Sequence, residues 1–150
     1  MNEHFFCFFV TCLLLNNFRI CMNTLHINQT EETPLIHFDT ETGKFEIKGN
    51  SLPENIYLFY NPVFEWLDKY KEGPNPKTEF VFEMKMISSS SSKIFYELIS
   101  KIDSLDSDTA SCVKITWRYS IYDEEIRETG VDFKESVNVP FEIVLVDSDE

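Results

Sequence analysis

With 150 residues, 43% of them hydrophobic, the chain can bury one core and is too short for two ordinary domains. Acidic residues outnumber basic ones 26 to 13, and a formal charge of −13 repels nucleic-acid phosphates and anionic membrane surfaces, so neither is expected as a partner. The 14 Phe, six Tyr and two Trp supply enough core bulk that no disulfide or structural metal is required.

In chain order, Phe5 to Leu15 is almost wholly apolar but shorter than the roughly 20 residues a bilayer span needs. Asn2, Glu3 and His4 give no basic n-region and no small-x-small cleavage pattern follows, so residues 1–21 read as an extension from a mis-assigned start codon, with a signal-like leader as the alternative. Residues 22–32 read as a flexible tail, 33–147 as one domain and 148–150 as an acidic tail. Cys7, Cys12, Cys21 and Cys112 form no C-x-x-C spacing, which predicts reduced thiols, no metal site and a cytoplasmic protein.

Thr33 to Lys48 reads as a hairpin turning at Glu41, Thr42 and Gly43. Ser51-Leu52-Pro53-Glu54 matches a capping box for a helix carrying Ile56, Phe59, Val63, Trp66, Leu67 and Tyr70 on one stripe, with a kink near Phe59 or a restart capped by Asn61 because of Pro62. Thr78 to Ile87 alternates Phe80, Phe82, Met84 and Met86 with polar residues, the pattern of a core strand. Phe95, Leu98, Ile99 and Ile102 predict a second helix to about Ser104, followed by a solvated loop over Asp103 to Ala110. Val113, Ile115, Trp117 and Tyr119 mark a strand, Asp123 to about Ser136 a polar helix broken near Gly130, and Phe141, Ile143 and Leu145 a last strand. The order ββαβαβαβ implies an α/β sandwich: a mixed sheet, parallel after its opening hairpin, with helices packed on it.

The run Ser88 to Ser92 joins a core strand to a helix start, where free amides and the helix dipole favour negative charge. A phosphoserine fits there, and so does a plain loop with an N-capping serine. Spacing leaves both open. A serine hydrolase would need a base, yet the histidines are His4, His26, in the expected tail, and His37, read as an ordinary strand residue, and G-x-S-x-G is missing. There is no Walker A loop, G-x-G-x-x-G or H-E-x-x-H, so no cofactor is implied, and Asp123, Glu124, Glu125 and Glu128 read as an exposed helix face.

Three separated blocks resemble the SiaC family of bacterial regulatory phosphoproteins: TPLIHFDTETGKFEIKGNSLPENIYLFYNPVFEWLDKY, FEMKMISSSSSK and WRYSIYDEEIRETGVDF. The resemblance runs from about Thr33 to Val146. It implies a STAS-like fold, similar to anti-sigma-factor antagonists, and a non-enzymatic phosphorylation switch in a partner-switching pathway. A dedicated serine/threonine kinase, a PP2C-like phosphatase and an output protein such as a diguanylate cyclase would be its partners, linking it to cyclic-di-GMP signalling and biofilm behaviour. Aligned on Lys93, Ser88 takes the place of the family's Asn and Ser89 that of its phosphoacceptor Thr, with Ser90 and then Ser91 as second and third choices. Ser88, Ser91, Lys93, Pro53, Glu54, Asn55, Glu128 and Gly130 are the implied motif and partner-facing residues. The alternatives are a STAS-like module without phosphorylation and, more remotely, a serine-dependent hydrolase.

Overall fold

The computed structural model describes residues 23–146, so the leader, its cysteines and the acidic tail lie outside the described residues. The elements are β1 (Leu25–Ile27), β2 (Leu35–Asp39), β3 (Lys44–Ser51), α1 (Ile56–Tyr70), β4 (Lys77–Ile87), α2 (Ser89–Asp108), β5 (Cys112–Ser120), α3 (Glu124–Glu135) and β6 (Phe141–Val146). One six-stranded sheet takes them in chain order. β1, β2 and β3 pair antiparallel, whereas β3, β4, β5 and β6 run parallel, each parallel step crossing over through a helix.

All three described helices cover the same face. Phe45 meets Trp66 of α1, Phe82 meets Phe95 of α2, and Trp117 meets Phe133 of α3, and in-register pairing puts these strand residues on one side of the sheet. Strands covered on one side alternate apolar-in and polar-out, which is why period-two patterning runs through β2, β3 and β5 and through β4 apart from Val81, which is buried on the other side. The opposite face carries ion pairs instead, among them Lys48–Glu83 at 2.9 Å, Arg118–Glu83 at 3.4 Å and Lys114–Glu142 at 3.0 Å. Such exposed pairs each contribute about 0 to 1 kcal/mol. They keep this face wet rather than hold the fold.

The structure departs from the sequence reading in five places. The expected tail over 22–32 contains β1, so the order gains a strand. Leu25 and Ile27 pack on the core, and Trp66 Nε1 donates to the Asn23 carbonyl at 2.8 Å. Ser51 is not a helix cap but the last residue of β3, paired with Ile87, and Asn55 caps α1 instead, accepting from the Leu58 amide at 3.1 Å. α1 also runs through Pro62 without the restart at Asn61: Tyr60 and Val63, buried on either side of it, hold the helix against the sheet and offset the single hydrogen bond lost.

α2 continues to Asp108 through the segment read as a loop, because Leu105 extends the buried stripe. Its aspartates bond neighbouring backbone, Asp103 accepting from the amides of Asn138 and Val139 and Asp106 from that of Val113. α3 likewise passes through Gly130 without a break. That glycine lies against the Trp117 indole, where a side chain would clash.

Candidate functional site

β4 ends at Ile87, and Ser88 leaves it in an extended conformation (φ −72°, ψ 162°) to cap α2. Its Oγ accepts from the Ser91 amide at 3.1 Å, and its own amide donates to the Ser51 carbonyl at 3.1 Å. The end of β3 thereby fixes where α2 begins.

Behind this cap runs a chain of hydroxyls. Ser91 Oγ donates to the Ser51 carbonyl at 2.8 Å and lies 3.0 Å from Ser88 Oγ and 2.7 Å from Ser51 Oγ, which in turn lies 2.6 Å from the Tyr60 hydroxyl. Ser51, Tyr60 and Ser91 are each 0% exposed. Burial pushes the Tyr60 phenol well above its ordinary value, with the Ser51 hydrogen bond opposing in part, so it stays protonated and supplies no base. The chain ties β3, α1 and α2 together at one end of the sheet.

Ser89, Ser90 and Lys93 are exposed, and Ser88 and Ser92 half-buried. The sorting follows helical geometry. Ser91 lies on the stripe of Phe95, Leu98, Ile102 and Leu105, all buried, while Ser89 shares its face with Lys93 and Tyr96, both exposed. The first turn of α2 carries no acidic residue, so the positive end of this helix dipole is not offset by its own side chains.

Of the other residues singled out in the sequence, Pro53 is half-buried and Glu54 and Asn55 are exposed at the entry to α1. Glu128 is exposed on α3, whereas Gly130 is buried and belongs to the packing under Trp117 rather than to a surface. Because β3, β4 and β5 are parallel, their C-terminal ends and the N-termini of the three described helices share one edge of the described structure. That edge also presents apolar side chains to water: Tyr57 and Leu58 at the start of α1, Met86 near the end of β4, and Ile121 and Tyr122 after β5, with Leu58 73% and Tyr122 82% exposed. Met86 keeps the alternation expected of a core residue but emerges from the cover of the helices. Neither the hydroxyl chain nor this rim was anticipated from the sequence.

Among the described residues no group of three or more His, Cys, Asp or Glu side chains is placed to hold a metal ion, and no helix is long and apolar enough to cross a membrane.

Comparison with known proteins gives concordant results. Residues 27–146 match the family model described as SiaC family regulatory phosphoprotein. An uncharacterized protein of Pseudomonas aeruginosa (strain UCBPP-PA14) is 26% identical over 122 residues, covering 81% of this chain and 96% of the relative. The structure of SiaC of Pseudomonas aeruginosa is similar at a TM-score of 0.74 and 26% identity, over 83% of this chain and 100% of that one. A crystal structure of the diguanylate cyclase SiaD in complex with its activator SiaC, from the same organism, contains a chain similar at a TM-score of 0.75 and 25% identity, over 81% of this chain and 99% of that one.

Proposed function

Because the chain belongs to the SiaC family of regulatory phosphoproteins, we propose that it is a non-enzymatic, cytoplasmic interaction switch of STAS-like kinship, set by phosphorylation at Ser89. Ser90 is the alternative acceptor if the register of the serine run is shifted by one. In this reading a dedicated kinase adds the phosphate, a PP2C-like phosphatase removes it, and the unmodified form binds and activates an output protein. A diguanylate cyclase is the natural candidate, since the similar SiaC chain is described as the activator of SiaD.

The observation that carries this reading is the exposure of Ser89 and Ser90 at a capped helix start, on the edge that also bears Tyr57, Leu58, Met86, Ile121 and Tyr122. Exposed apolar side chains gathered on one edge favour a protein partner. A phosphate adds about −1.5 to −2 charges, and burying it under a partner without cations would be prohibitive. One modification at this edge therefore suffices to exclude a partner that the bare surface admits. The buried position of Ser91 weighs against it as acceptor. A hydrolase finds no support, because His26 and His37 lie on β1 and β2, away from the serines.

Incubation with the cognate kinase and ATP should add one phosphate, placed by fragment mass spectrometry on Ser89 or Ser90. Ser89→Ala should abolish it, or Ser90→Ala if that is the acceptor, with the fold kept, since the N-cap is Ser88 rather than either of them. Tyr122→Ser should weaken binding of the unmodified protein to its output partner by about tenfold or more, the scale of about 1.4 kcal/mol expected for a central aromatic contact, at unchanged melting temperature. Phosphate found outside 88–92, or partner affinity indifferent to both phosphate and Tyr122, would remove the basis for the switch.

A further inference from the structure

We propose that His26 and His37 form a two-imidazole site for a zinc-like divalent transition-metal ion, on the sheet face that none of the described helices covers, and that the bound ion fastens β1 to β2. The two residues are directly paired across the antiparallel β1–β2 step. Their Nδ1 atoms are 3.0 Å apart, with the rings nearly perpendicular and 5.2 Å between centroids. Ile36 and Phe38, on either side of His37, are fully buried, which turns His37 and its cross-strand neighbour to the open face.

The spacing suits chelation. With metal–nitrogen bonds of about 2.0 to 2.1 Å, two imidazoles on a tetrahedral ion have their ligating nitrogens about 3.3 Å apart, and at a right angle about 2.9 Å. The observed separation falls between these. His26 Nε2 lies 2.9 Å from Asn28 Oδ1 and donates its hydrogen to that oxygen, which leaves the Nδ1 lone pair of His26 directed at His37. In the metal-free pair His37 donates its Nδ1 hydrogen to that lone pair. An incoming ion takes the place of this hydrogen once His37 adopts its other tautomer and both rings turn so that their lone pairs converge on a point off the line between the two nitrogens, and His26 is exposed enough to turn.

Glu46 of β3 is paired with His37 in the next step of the sheet, so an imidazole, an imidazole and a carboxylate form a row across three strands. Among the described residues Glu46 pairs with Lys44, at 3.5 Å. It stands one strand spacing away from the pair, so the ion keeps water in its remaining positions. Imidazole donors select zinc, nickel or copper over magnesium or calcium, and the acidic surface of the chain favours an approaching cation. β1 is three residues long and, among the described residues, ends the sheet, so it has much to gain from a second fastening.

The test is hydrogen–deuterium exchange of the full chain, kept reduced, with and without zinc chloride, read on peptides covering residues 23–39. Zinc should slow exchange of the β1 amides by about tenfold, and magnesium chloride should not. His26→Gln and His37→Gln should each remove the zinc-dependent difference, and Asn28→Ala should raise the zinc concentration needed by about tenfold. Because each protein is compared with itself, looser pairing of β1 in a variant does not obscure the result. No slowing in the wild-type chain at 1 mM zinc would overturn the proposal, as would slowing that persists in both histidine variants, which would place the ion on thiols instead.

Discussion

Ser91→Asp should strip the protein of at least about 3 kcal/mol of stability, while Ser89→Asp, two residues away, should leave it as stable as the wild type or slightly more so. Ser91 is fully buried, its Oγ 2.8 Å from the Ser51 carbonyl and 2.7 Å from Ser51 Oγ. A carboxylate there would face the Ser51 carbonyl oxygen, and its neighbours among the described residues are hydroxyls rather than cations. A charge buried unpaired costs several kcal/mol, a large part of the 5 to 15 kcal/mol that holds a typical domain. At Ser89 the same group is solvated and sits in the first turn of α2, where a negative charge gains about 0.3 to 1 kcal/mol from the dipole.

Urea unfolding of the two variants measures the difference directly. Equal midpoints would mean that the hydroxyl chain behind the cap is not closed to water. The expected gap bears on function as well: a phosphate on Ser91 would have to unfold this end of α2, whereas one on Ser89 or Ser90 needs no rearrangement. The fold itself then discriminates among chemically identical neighbours.

Gly130→Ala should cost about 1 to 3 kcal/mol even though alanine is the better helix former by about 1 kcal/mol. A Cβ at Gly130 would run into Trp117 Cδ1 and lie 2.6 Å from Nε1 and 2.8 Å from Cγ. The indole cannot easily give way. It is fully buried, donates from Nε1 to the Ile126 carbonyl at 2.9 Å, and packs between Phe82 and Phe133 at centroid distances of 5.6 and 5.3 Å. Either α3 lifts off the sheet or Trp117 leaves its place, and both loosen the core beneath α2 and α3.

Gly73→Ala is the matched control, since a Cβ there meets nothing within 4 Å, and it should change stability by no more than about 0.5 kcal/mol. Thermal melts of the two variants should differ by several degrees, at roughly 2 to 8 °C per kcal/mol for domains of this size range. If Gly130→Ala melts with the wild type, the close approach of α3 to Trp117 is not a constraint, and the glycine has no packing explanation here.

The sequence by itself determined the type and order of the long elements, because a sheet covered on one face imposes period two on its strands and a single apolar stripe on each helix. Phe45 and Ile47, Phe80 and Phe82, and Ile115 and Trp117 all obey that rule and are all buried. Family membership was legible too, in the three motif blocks. Tertiary structure alone decided the features that depend on partners distant in the chain. β1 is too short to show a period and exists through its pairing with β2 and the contact of Asn23 with Trp66. Ser51 satisfies the local pattern of a cap, but its backbone is claimed by β4, which turns its hydroxyl inward to Tyr60 and Ser91. Gly130 looked like a helix breaker because the indole that requires it comes from the preceding strand. The serine run, with no contrast between its members, gave no site by composition. The rotation of α2 against the sheet buries Ser91 and leaves Ser89 and Ser90 in water, because residues four and seven positions beyond Ser91 are the ones that enter the core.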